Sequence, residues 1–300
     1  MDHNAELKEF LRTRRARLRV EDVEIGGTGW VRRVPGLRRE EVAQLAGVSV
    51  DYYSRLEQGR HLNVSDEVLD AVARALRLDD VERSYLFEIA RANNRRTKRR
   101  APAPVQRVRP GVRRVLETLD DVAPAFVFGR RMDMLAANRL ARALIGDFEV
   151  LPPRERNLLR FTFLDESARE LYADWEDVAR DNVAILRLDA GRHPDDPLLT
   201  ELVGELAVKS DEFRRWWADH NVRERTHGVK RYRHPLVGEV TVNYESVAVL
   251  GDADQTLCIY TAEAGSPSET ALRLLANWTG TAADASPPEV SSADADLQAP

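Results

Sequence analysis

The 300-residue sequence holds a single cysteine, Cys258, so neither an internal disulfide nor a cysteine-based zinc site is available to it. It has no run of 18 apolar residues, which removes the ordinary signature of a membrane-crossing helix. The opening Met1-Asp2-His3-Asn4-Ala5-Glu6 is polar and does not read as a signal peptide, so the expected location is the cytoplasm. Histidines number six and are scattered. His227 and His234 lie seven positions apart on a predicted strand and turn, which is not a metal-ligand spacing. Gly26, Gly27 and Gly29 lack phosphate-loop spacing, and no Lys-Ser or Lys-Thr follows them. No Ser/His/Asp or Cys/His set stands out along the chain. An enzyme, a resident metal and a cofactor are therefore not expected.

What is present is a charged, core-forming chain: 43% apolar and 32% charged residues, long enough for two domains. The net charge of −5 hides an asymmetry. Residues 1–110 carry 23 basic against 17 acidic side chains, and the remainder 22 against 33. A basic first third suits a polyanionic partner, and an acidic remainder does not.

The stretch Leu37–Gly59 organises the first domain. Val42, Ala43 and Ala46 share one face of a short predicted helix. Gly47 follows where a tight turn needs positive φ, Val48 fills the gap, and Ser49 caps a second helix. In that helix Tyr53 and Leu56 face inward, leaving Val50, Asp51, Ser54, Arg55 and Gln58 outside. This is the pattern of a helix-turn-helix whose second helix enters the major groove. On that reading Val50 meets a thymine methyl, Asp51 accepts from cytosine N4, and Ser54 and Arg55 reach base edges or phosphates. Arg38, Arg39, Ser49, Tyr52 and Arg60 complete the expected contact set, and Arg39 takes a phosphate. One short reading helix covers one half-site, so a homodimer is expected.

Three further helices surround the motif. Leu7–Leu18 has apolar Leu7, Phe10, Leu11 and Leu18 beside Arg12, Arg14, Arg15, Arg17 and Arg19. Those arginines fit either a solvated face or phosphate contact, as do Arg32 and Arg33 in the loop that follows. Ser65 caps a helix with the stripe Val68, Leu69, Val72, Ala73 and Leu76, and Asp79 with Glu82 opens a fifth helix. The domain is expected over 1–92, with its motif over 38–58. A basic, proline-containing linker is predicted over 93–110, a second domain over 111–279 and a disordered tail over 280–300.

In the second domain Pro124–Gly129 and Met132–Ala136 read as strands, followed by helices over Asn138–Ile145, Glu166–Tyr172, Trp175–Leu188, Leu198–Lys209 and Asp211–His220. Strands over Val229–His234, Glu239–Leu250 and Leu257–Glu263 and a helix over Glu269–Trp278 close it. Val240, Val242 and Tyr244 alternate, and Val247 and Val249 then continue on the opposite parity, which predicts a β-bulge near Glu245–Ser246. The fold class is multidomain, an all-α bundle followed by an antiparallel sheet with helices.

Two resemblances sharpen this. Leu37–Gly59 resembles the helix-turn-helix of the Xre/Cro–repressor superfamily. The wider Pro35–Ala43 and Tyr52–Arg60, with Asn138-Arg139-Leu140-Ala141, Asp174-Trp175-Glu176, Ser210–Arg214 and His234-Pro235-Leu236-Val237-Gly238, resemble actinobacterial regulators carrying an MmyB-like ligand-binding domain. That resemblance implies a PAS-like sensor domain, double-stranded operator DNA as partner and an apolar, fatty-acid-like effector. It departs at Ala137, where many relatives have an aromatic residue. Candidate effector contacts are Arg130 and Arg187 for a carboxylate, with Asn138, Trp175, Trp216 and Tyr244. A core role suits the tryptophans equally well. A dimerisation or protein-docking module, or an enzyme fused to the helix-turn-helix, remain alternatives for the second domain.

Overall fold

The computed structural model describes residues 3–19, 23, 36–60, 64–94, 105–252 and 254–284. The expectations for Gly26–Gly29, Arg32, Arg33, the basic run 95–100 and residues 285–300 lie outside that set. Five helices build the first domain: α1 His3–Arg17, α2 Arg39–Leu45, α3 Val50–Glu57, α4 Asp66–Ala75 and α5 Asp80–Asn94. Leu7, Phe10 and Leu11 of α1 pack with Tyr53 and Leu56 of α3, Leu69 and Val72 of α4, and Tyr85, Leu86 and Ile89 of α5. The start of α5 is capped reciprocally, with the Glu82 amide donating to Asp79 Oδ1 at 2.8 Å and the Asp79 amide to Glu82 Oε2 at 3.3 Å.

The second domain begins earlier than its predicted boundary at 111. Val108 is buried, and the Gln106 side chain bridges the Arg130 amide at 2.8 Å and the Asp254 carbonyl at 3.2 Å. The end of the predicted linker is thus structural. Then come α6 Pro110–Thr118, β1 Ala125–Phe128, β2 Met134–Ala137, α7 Arg139–Ile145, α8 Leu158–Leu164, α9 Glu166–Leu171, α10 Trp175–Arg192, α11 Pro197–Lys209, α12 Asp211–Ala218, β3 His227–His234, β4 Gly238–Ala248, β5 Thr256–Thr261 and α13 Pro267–Asp284. The last helix runs on to Asp284, so residues 280–284 are helical rather than part of a disordered tail.

Five strands form one antiparallel sheet in the order β2-β1-β5-β4-β3. Alternation puts Phe126, Phe128, Tyr232, Val240, Val242, Tyr244, Cys258 and Tyr260 on the face that packs against the helices. Ala125, Val127, Ala136 and Val249 face the other way, under Val108 and the α6 residues Val112 and Leu116. This second layer corrects the expected bulge. The β3–β4 and β4–β5 registers run without a shift through Glu245 and Ser246. The strand does not slip: Val249 is buried on the opposite, α6-covered face, and Val247 on that same parity stays half exposed. The register shift in the sheet falls instead between Val127 and Phe128, on the β1–β2 pair.

α8 is a helix that no sequence period announces. Its Leu-Leu-Arg-Phe-Thr-Phe-Leu is apolar nearly all round, with Leu158, Leu159, Thr162 and Phe163 buried, so no polar face marks a period. The visible signal was Asn157, whose side chain accepts from the Leu159 and Arg160 amides at 3.0 and 3.2 Å.

The two domains are joined by a packed seam. Leu188 of α10 belongs to the first domain's core. A Cβ added at Gly191 would sit 2.4 Å from the Tyr85 ring, so the absence of a side chain there lets α10 lie against α5. Arg187, 1% exposed, ion-pairs with Glu6 of α1 and donates to the Trp217 carbonyl, its guanidinium 3.8 Å from the Trp217 ring centroid. Tyr85 donates to Glu6 at 2.6 Å, and His220 Nδ1 lies 3.1 Å from the same carboxylate oxygen. Arg14 and Arg17 donate to the carbonyls of His220 and Asp219 at 2.7 and 3.0 Å. Arg14 and Arg17 therefore staple the domains together, while Arg12 stays exposed beside Glu9 and Arg15 pairs with Glu57 inside the first domain.

Burial alone would raise the Glu6 carboxyl, but the hydrogen bond with His220, the Arg187 charge and the Tyr85 hydroxyl outweigh it and bring the pKa down to about 2. A carboxyl depressed in the folded state stabilises above its unfolded pKa and loses that contribution as pH falls through the folded value. From 4.5 to about 2 the shift corresponds to about 3 kcal/mol, lost across that window. Glu6→Gln is expected to lower stability by about that much at neutral pH and to flatten the acid limb of a melting-temperature-against-pH curve. An acid limb identical to wild type would remove Glu6 from the linkage.

Candidate DNA interface and effector cavity

The turn between α2 and α3 forms as its residues dictate. Gly47 has φ +66°, the Val48 amide donates to the Ala43 carbonyl at 3.0 Å, and Ser49 caps α3 by accepting from the Tyr52 amide at 3.1 Å. Val42 and Ala43 of α2 meet the fully buried Tyr53 and Leu56 of α3 in one core. Val50, Asp51, Arg55 and Gln58 are exposed on the outer side of α3, with Ser49 at its start and Arg60 just beyond its end. Ser54 and Tyr52 are half-buried beside them. Asp51 and Arg55 pair one turn apart at 3.2 Å. Arg38 stands at the N-cap of α2, its amide donating to Glu41 at 2.6 Å.

Behind this face sits a carboxylate that the sequence reading did not single out. Glu57, 2% exposed, accepts two hydrogen bonds from Arg15 at 2.8 and 3.0 Å and one from Arg39 at 2.8 Å. Burial raises its pKa, but Arg15 and then Arg39 hold it below the usual carboxylate range. The reading helix is thereby clamped to α1, and Arg39, 47% exposed, is aimed by its partner. The signal available in the sequence was an acidic residue at an inward helical position among arginines.

The six residues expected around an effector are not gathered in one place. Arg130 pairs with Asp254 at 2.8 Å. Asn138 is buried, with Oδ1 accepting from the Ala125 and Ala141 amides and Nδ2 donating to the Ala123 carbonyl. Trp175 donates to the Thr162 carbonyl at 2.9 Å and lies with Trp216 and Phe163 in an aromatic cluster. Arg187 does hold a carboxylate, but it is this chain's own Glu6. Tyr244 alone of the six lines a cavity, one of ≈ 70 Å³ between α10 and the β3–β4 hairpin. Its walls include Val178, Asn182 and Ile185 of α10 with Arg225 and Lys230. Desolvation, then the Arg225 charge, lowers the Lys230 pKa to about 7, although Cys258 and Asp181 act the other way. A second, larger cleft of ≈ 530 Å³ is an open surface feature lined mostly by charged side chains such as Arg169, Lys209 and Glu212.

Residues 108–275 match the family model described as the MmyB-like transcription regulator ligand binding domain, and residues 6–86 match a helix-turn-helix domain model. The chain belongs to the MmyB-like transcription regulators. Comparison with curated proteins found no match. The two domains make this MmyB-like regulator a DNA-binding, ligand-controlled and non-enzymatic protein. No helix among its described residues is long and apolar enough to cross a membrane.

Loss of the buried clamp should be far costlier than loss of its exposed partner. Glu57→Ala strands Arg15 and is expected to cost about 3–5 kcal/mol. Arg39→Ala removes a half-exposed ion pair and is expected to cost about 1 kcal/mol or less. Urea unfolding followed by helical circular dichroism compares the two directly. Equal midpoints would show that Glu57 does not hold the motif.

Proposed function

We propose that this MmyB-like regulator is a sequence-specific transcription regulator that acts in the cytoplasm as a homodimer. Its operator affinity is set by an apolar, fatty-acid-like effector bound between α10 and the sheet. The observation that carries this reading is α10 itself. Val178, Asn182 and Ile185 wall the cavity, and Arg187, Leu188 and Gly191 just beyond them hold the DNA-binding domain. A cavity of ≈ 70 Å³ admits a head group only. Ligand pockets usually measure roughly 300–1,000 Å³, so a chain-like effector must part α10 from the β3–β4 hairpin. That displacement works directly on the Glu6–Arg187 pair, within a turn of the cavity wall. The strand order, with helices inserted between β2 and β3, supports a PAS-like sensor.

On the DNA side, Val50, Asp51, Ser54, Arg55 and Gln58 face the bases. Ser49, Tyr52, Arg38, Arg39 and Arg60 contact the backbone around them. An eight-residue α3 is roughly 12 Å long and reads one half-site, which supports the dimer.

Arg55→Ala and Asp51→Ala are expected to relax base preference, each lost contact costing about 1–3 kcal/mol, whereas Arg39→Ala weakens all sequences alike. Affinities for an operator and its single-base variants test this, and unchanged preference in both α3 variants refutes it. Effector and operator should alter each other's affinity by the same factor, corresponding to about 1–3 kcal/mol of coupling. Titrating a fatty acid with and without operator measures that factor, and a factor of one removes the switch.

A further inference from the structure

The inner face of the sheet carries a charged side chain that its surroundings do not satisfy. Lys230 of β3 lines the cavity beneath α10 and is buried, and its Nζ makes no hydrogen bond. An ammonium has three donors, and a buried charge is tolerable only when paired. Around this one stand aromatic rings: Tyr172, Tyr244 and Tyr260 lie 5.6, 5.6 and 5.8 Å from Nζ. Ring faces attract a cation but accept no strong hydrogen bond from it. The hydroxyls of Tyr172 and Tyr232 are likewise buried without a hydrogen bond of ordinary geometry.

Among the described residues no carboxylate forms an ion pair with Lys230. Asp181, the acidic residue of the α10 wall, is ion-paired with Arg223. Arg225 adds a second positive charge, donating to Asn182 Oδ1 at 3.4 Å and stacking 4.5 Å from the Phe128 ring centroid. On β5, Cys258 and Tyr260 are buried. The cavity of ≈ 70 Å³ has room for about two water-sized groups at roughly 30 Å³ each.

We propose that this cavity is the seat of a compact anionic head group of the carboxylate class, which pairs with Lys230 Nζ beside Tyr244. The proposal rests on the reading of the second domain as an effector-binding domain and names the chemistry of the end that enters first. Arg223 and Arg225 flank the approach and attract the same sign of charge. A carboxylate beside Nζ favours the ammonium, so binding takes up a proton where the free lysine is neutral. With the free Lys230 pKa at about 7, affinity is full from that pH down to the ligand's own carboxyl pKa. Above it, affinity falls by about tenfold per pH unit.

The test uses the full chain and three probes: decanoate, decan-1-ol and benzoate. Calorimetric titrations at pH 8 in two buffers of different ionisation enthalpy give affinity and proton uptake. The expected result is decanoate binding at least about tenfold tighter than decanol, with about one proton taken up per decanoate. In Lys230→Met the acid and the alcohol should bind alike, with no proton uptake. The wild-type comparison decides the matter even if that variant fails to fold. Equal wild-type affinity for acid and alcohol overturns the anion seat while leaving an apolar effector. Benzoate binding without either decyl probe supports the seat and overturns the fatty-acid-like reading. Binding of none of the three at millimolar concentration overturns both.

Discussion

The structure depends on one buried ion pair, Glu6 with Arg187. A guanidinium with 1% of its surface exposed is tolerable in a helix seam only because a carboxylate from another domain meets it. Its other hydrogen-bonding edge is met by the Trp217 carbonyl, and its face by the Trp217 ring. Tyr85 and His220 close the Glu6 side. Four elements that are distant along the chain, α1, α5, α10 and the end of α12, converge on two charges. The DNA-binding domain is therefore not a bead on a tether.

That geometry defines a short mechanical path. The cavity lies under α10 from Val178 to Ile185, and the ion pair at Arg187 lies within the next turn. Glu6 belongs to α1, and α1 also supplies Arg15, which holds Glu57 of the reading helix. Between cavity and reading helix stand two packed helices, the half-buried Glu6 and the buried Glu57. Such a path conducts only if α10 has two positions of different effector affinity, because an effector shifts only what it binds unequally. The tight approach at Gly191 makes the seam responsive, since a small shift of α10 against Tyr85 changes contacts that have no slack.

The sheet separates structure from chemistry by strand parity. On β3 the inward positions are Lys230, Tyr232 and His234. His234 is used structurally, its Nε2 3.0 Å from the Ala143 carbonyl of α7. Tyr232 stacks in a run with Tyr172 and Tyr260. Lys230 alone of these three is a charge carried inward without a carboxylate partner. The outward face is covered by α6 with the apolar Val108, Val112 and Leu116.

The helix-turn-helix was legible in the sequence because every determinant is local. Ser49 caps an amide three residues away, Gly47 supplies its own backbone angle, and Tyr53 and Leu56 face inward by helical period alone. The order of strands and helices was readable for the same reason. What the sequence did not decide was the partner of each charged side chain. Arg187 was recognisable as a carboxylate anchor, but its carboxylate lies 181 positions away. Arg14 and Arg17 reach across more than 200 positions. Lys230 read as one more polar strand residue, and its isolation appears only when α10, β4 and β5 close over it. Period and capping act within a few residues, so the chain specifies them alone. Charge pairing and cavity formation depend on which surfaces meet, and only the tertiary structure decides that.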